Sequence, residues 1–181
     1  MQHDRAMPMN TLEELAAREM KLLEQAGRVA GLMEDKFRQL GETGVFLESA
    51  AVHAAYVALA EPPASSLEAL KRAIFLGWYA TAEPGCFTGI GELDPVRIRR
   101  AHELLDVAQA EGCIDPEFSV MLGWYWFIAD YYFKALSPAR LTDYLLRLGP
   151  EAYKTHPFTP ASLEGRGQMG VYWISVACGA A

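Results

Sequence analysis

The chain has 181 residues, 51% of them hydrophobic and 22% charged, with a formal net charge of −7. That length suits one domain with a substantial core, and the composition excludes a disordered chain. The acidic balance argues against nucleic-acid binding, which needs a basic face to neutralise phosphates; the densest basic group is only Arg97, Arg99 and Arg100.

Residues 1–9 are expected to be disordered, and 10–181 to form a single all-α domain. The start lacks the charged region and apolar stretch of a signal peptide. The longest apolar runs, such as 120–129, are about half of the roughly 20 residues that a membrane crossing needs. Cys86, Cys113 and Cys178 are odd in number and lack metal-like spacing, which fits reduced thiols. A soluble, cytoplasmic protein with no membrane partner is the expectation.

The first predicted element is one long helix. Positions 12, 15, 19, 22, 26, 29, 33, 36 and 40 step by three and four and carry Leu, Leu, Glu, Leu, Ala, Val, Met, Lys and Leu. This is an imperfect coiled-coil seam, weakened by Gly27 and Gly31. It predicts packing on the same domain, with a homodimer through the N-terminal helix as the other use.

Further along, helix starts are written clearly. Asp94-Pro95, Asp115-Pro116, Ser137-Pro138 and Thr159-Pro160 each set a side-chain oxygen at an N-cap and proline at the first helical position. Ser65-Ser66-Leu67-Glu68 reads as a capping box, and Thr43 as a weaker cap. With apolar residues three and four apart between the caps, helices are predicted over 43–62, 65–83, 94–111, 115–136, 137–148 and 160–179. No stretch alternates like a strand.

Leu76-Gly77-Trp78-Tyr79 recurs as Leu122-Gly123-Trp124-Tyr125 and more loosely as Met169-Gly170-Val171-Tyr172, at spacings of 46 and 47 residues. A period in the forties matches a helix pair with its turns. The predicted fold is therefore all-α: a long N-terminal helix and three helical hairpins, stacked in a HEAT-like manner or closed into a bundle. Mid-helix glycine costs about 1 kcal/mol relative to alanine, so these glycines are read as close helix crossings. Their aromatics are read as core, or as the lining of a groove.

Two segments break the rhythm. The glycine-rich loop 83–93 has neither a preceding strand nor a following Lys-Ser/Thr, so it is not read as a phosphate loop. Its Phe87 and Ile90 predict packing onto the body. The stretch 149–159 is the second. Loops of this length are where function concentrates.

Chemistry is sparse. His102 and Asp106 share a helix face, and His53 lies at a matching depth one unit earlier, with Glu48 and Glu103 nearby. The set resembles metal ligands by type, but the preferred reading is two unrelated histidines, with no metal and no cofactor. Asp130 sits among Trp126, Phe127, Tyr131, Tyr132 and Phe133, where a carboxylate can gain a raised pKa. Lys134, four residues on, favours an ion pair instead. The string Asp130-Tyr131-Tyr132-Phe133 is similar to one in the helical thiaminase-II family, whose cysteine and glutamate context is not recognisable elsewhere in the chain. Cys86 has no marked histidine partner, and Glu83 only flanks a helix end.

The residues point first to a non-enzymatic helical-repeat protein that binds a protein partner or a small molecule. Trp78, Tyr79, Trp124, Tyr125, Trp126 and Asp130 are its candidate binding residues. The alternative is a small all-α enzyme or ligand-binding protein with an aromatic pocket around Asp130.

Overall fold

The computed structural model describes residues 11–63, 66–148 and 158–179, and every regular element within them is a helix. Residues 1–9, expected to be disordered, lie outside the described residues, as does most of the stretch 149–159. Among the described residues no helix is long and apolar enough to cross a membrane.

Helix α1 spans Leu12–Arg28 and opens on a capping box: Thr11 Oγ1 accepts the Glu14 amide at 3.1 Å, and Glu14 accepts the Thr11 amide at 2.8 Å. Its predicted seam residues Leu15, Glu19, Leu22 and Ala26 are buried within the domain. The expected long helix is broken. Gly31 takes φ 118°, a conformation that residues with a Cβ rarely adopt, and α2 starts afresh over Met33–Glu42. Helix α2 buries only Leu40.

Helix α3 is Val45–Leu59 and α4 is Leu67–Ala82. Thr43 does not open α3 but closes α2 as its C-cap, its hydroxyl donating back to the Gln39 carbonyl at 2.8 Å. Ser66 stands at the N-cap of α4 without a side-chain bond, which puts Glu68 at the second helical position, one short of where a capping box closes; Glu68 engages Arg72 and Arg166 instead. A one-turn helix α5, Gly85–Thr88, interrupts the next loop. There Ile90 is buried as expected, while Phe87 is exposed.

Helices α6 (Pro95–Ala110) and α7 (Pro116–Leu136) begin where the Asp-Pro pairs predict. Asp94 accepts the Val96 amide at 2.9 Å, and Asp115 the Phe118 amide at 2.7 Å. Helix α8 covers Ala139–Leu148. A single turn α9, Pro160–Leu163, is capped by Thr159. Helix α10, Gly167–Trp173, runs into a π-helical turn, Ile174–Cys178.

Helix α4 lies at the centre, with every residue from Ala69 to Trp78 buried. It packs against α3, α6, α7 and α10, while α1 packs against both α3 and α10. The first and last long-range partners therefore meet, and the helices close round α4. Three equivalent hairpins do not describe this packing. Helices α3 and α4 pair closely, but α6 and α7 each lean on α4. Helix α8 sits on α7 and α6, while α10 sits on α1.

The repeated glycines are all buried, yet their surroundings differ. A Cβ on Gly77 would stand 2.2 Å from the Tyr132 hydroxyl of α7, whereas one on Gly170 would meet the carbonyl of Leu163, 2.2 Å away in the preceding turn. At these two glycines the motif recurs in sequence without recurring in packing.

Candidate functional site

The aromatic motif residues build core before surface. Trp78 is 1% exposed and stacks on Tyr125 with ring centroids 4.4 Å apart. Its Nε1–H donates to the Tyr125 carbonyl at 3.1 Å. The regular partner of that carbonyl would be the Ala129 amide, and Ala129 (φ −147°, ψ 64°) is where α7 bends. Trp173 Nε1–H donates to the Tyr125 hydroxyl at 2.8 Å. Burial of two predicted binding residues, Trp78 and Tyr125, leaves a partner no direct access to them. Tyr79, Trp124 and Trp126 are half-buried, and Trp124 Nε1–H donates to the Tyr172 hydroxyl at 2.7 Å.

Asp130 does not face an aromatic pocket. Its carboxylate, 44% exposed, accepts from Lys134 Nζ, and that bond holds its pKa below the ordinary value. Lys134 also lies over the Trp126 ring, 5.5 Å from the centroid.

The predicted histidines do approach one another. His53 and His102 are 1% and 0% exposed. Burial pushes His53 down to about 4. It does the same to His102, with added repulsion from His53. Both imidazoles are therefore neutral at pH 7. His102 Nδ1 shares a hydrogen bond with Ser137 Oγ at 2.7 Å, and the Ala73 carbonyl lies near the His53 ring outside good hydrogen-bond geometry. Asp106 turns away to the surface, where Arg140 grips both its oxygens at 3.0 and 2.6 Å. Glu48 pairs with Arg18 and Glu103 with Arg100. The candidate ligands therefore do not form one cluster.

The most elaborate polar arrangement was not foreseen. Glu19, 2% exposed, accepts the Tyr56 hydroxyl on one oxygen and the Gln168 amide on the other, at 3.0 Å. Burial raises its pKa to about 7, against the opposing pull of those bonds and of Arg72. Arg72 donates to Tyr56 Oη at 3.3 Å and to Glu68 at 2.8 Å. Arg166 joins Glu68 to Glu117, and Lys71 joins Glu117 to Asp115 at 2.7 and 2.6 Å. Three cations thus face four carboxylates, so a proton on Glu19 makes the chain of charges neutral. The signal in sequence was the lone carboxylate in the apolar stripe of α1. Its partners lie 37 and 149 positions away, beyond the reach of any local pattern.

Apolar side chains stay open on several faces of the described residues, Phe127, Ile128 and Tyr131 of α7 among them, and two further faces gather theirs from more than one element. One is a groove of about 370 Å³ between α1 and the α9–α10 elbow. The other joins α2 to α5, where Leu32, Met33, Phe37 and Phe87 are 72%, 51%, 46% and 51% exposed. Comparison with protein-family models, with curated proteins and with solved structures returns no match.

Proposed function

We propose that this chain is a non-enzymatic binding protein that meets a protein partner through the α2–α5 face. The observation that carries the reading is the cluster of large exposed apolar side chains: Leu32 at the N-cap of α2, Met33 and Phe37 on it, and Phe87 on the neighbouring α5. Met33 and Phe37 stand one helical turn apart, as anchors of a helix-mediated contact do. Phe37 is braced from behind by Phe46, with centroids 4.7 Å apart, so its ring is held in place before any partner arrives.

A second copy of the chain suits this face. Helix α2 carries Glu34 and Asp35 before Lys36 and Arg38. Asp35 and Arg38 pair with each other within α2 at 3.2 Å, on the side away from Met33 and Phe37, so the apolar side can meet its own copy about a two-fold axis without burying that pair. A homodimer through the N-terminal region then rests on α2, since α1 spends its stripe inside the domain. The alternative of an enzyme centred on Asp130 draws less support from that residue's half-exposed ion pair with Lys134.

Sedimentation velocity from about 1 µM to about 300 µM tests the reading. A concentration-dependent dimer is expected, and Phe37→Glu or Met33→Glu abolishes it while leaving the circular dichroism spectrum unchanged. A monomer at every concentration, or a dimer indifferent to both substitutions, overturns it.

A further inference from the structure

The groove between α1 and the α9–α10 elbow is independent of the α2–α5 face and is built differently. Ala16, Ala17 and Met20 of α1 form one wall, and Leu163, Val171 and Ile174 form the other. The small residues open the space; Met20, 38% exposed, lends an adaptable apolar edge. A volume of about 370 Å³ lies in the range of small-molecule sites.

The elbow that shapes this groove is anchored at two points. Gly165 and Gly167 turn the chain with φ of 73° and 62°. Gly167 lies so close to α1 that a Cβ there would stand 2.5 Å from Glu19 Oε1. The adjacent Gln168 amide is bound by Glu19, and Arg166 is fixed by Glu68 and Glu117. The wall is thus in place before a ligand binds, which spares the cost of ordering it.

The rim carries charge of one sign. Glu13 and Glu164 both line the groove and are exposed. Neither has an ion-pair or hydrogen-bonding side-chain partner among the described residues, where most other carboxylates do. An apolar slot with two unpaired carboxylates at its mouth selects an apolar body bearing a cationic head.

We propose that the α1–α10 groove binds a small amphipathic amine, its hydrocarbon part against Met20, Leu163 and Val171 and its ammonium between Glu13 and Glu164.

Octylammonium, octanoate and octanol are the probes, titrated separately and followed by the NMR signal of the Met20 methyl group. Octylammonium is expected to bind at least about tenfold more tightly than octanoate, a preference that weakens with salt. Glu13→Gln with Glu164→Gln should bring the two within about threefold of each other without changing the response to octanol. Ala17→Phe, which fills the groove from an exposed position, should abolish binding of all three. Phe37→Glu should leave it intact, which separates this site from the α2–α5 face. Equal binding of octanoate, or a signal kept in Ala17→Phe, overturns the proposal.

Discussion

A single carboxylate inside an apolar stripe ties the stability of this chain to pH. Glu19 has a pKa near 7 in the fold against 4.5 for the free side chain, with burial as the main cause. The folded state therefore holds a proton there that the unfolded state gives up first. Its contribution is greatest below pH 4.5 and falls as pH rises through 7. Glu19→Gln removes that decline. The stability of the variant relative to the parent should rise by about 3 kcal/mol between pH 4.5 and 7.5 and then level off. Denaturant melts across that window check it, and a constant difference refutes the assignment. Gly77 supports a second test at this scale. Gly77→Ala drives a Cβ into the Tyr132 hydroxyl and should destabilise by about 1–3 kcal/mol through overpacking. Tyr132→Phe removes the clashing oxygen, so the double variant should recover part of the loss, measured as a coupling energy.

At the level of elements, the two Asp-Pro caps separate a local effect from a networked one. Asp94 makes no side-chain bond beyond the cap of α6 among the described residues, so Asp94→Ala should cost about 1 kcal/mol. Asp115 caps α7 and also binds Lys71, which is 5% exposed. Asp115→Ala should cost more, since it also strips one partner from a buried ammonium. Thermal unfolding of the two variants decides between equal and unequal losses. These caps were legible in the sequence because an N-cap and its proline are adjacent residues and need no tertiary context. The break at Gly31 was half-legible: glycine marked a weak point, but the left-handed turn depends on α2 docking beside α3. The third hairpin misled because its cap spacing was regular while its last helix is held elsewhere, by Glu19 of α1. Of the proposed binding residues, the repeated motif singled out Trp78 and Tyr125 and left core and groove lining both open, since an aromatic on a helix suits either place. Their stacking on each other inside the core joins residues 47 positions apart, which no local pattern shows.

For the whole molecule, two neutral imidazoles add to the loss of stability in acid that the paired carboxylates Glu117 and Asp130 also bring. His53 and His102 fall from 6.5 to about 4 on folding. The stability they lend is complete well above pH 6.5 and is lost as pH falls through 6.5 toward 4. Glu19 works in the opposite direction over an overlapping range, so two losses are set against one gain. Net destabilisation of about 3 kcal/mol on acidification from pH 7 to 4 is expected from these three groups. His102→Asn should flatten the fall, and a melting series against pH reads it directly.

The pairing of α1 with α10 has a consequence in time as well as in space. Glu19 and Gln168 are separated by 149 positions, so the first helix leaves the ribosome long before its last partner exists. At about 5–20 residues per second, the interval is on the order of ten seconds. During it, one flank of α1 stays wet and adhesive, and the carboxylate of Glu19 is solvated and ionised. The nascent chain therefore waits with an unsealed seam, which only the emerging elbow can shut and which chaperones have time to find.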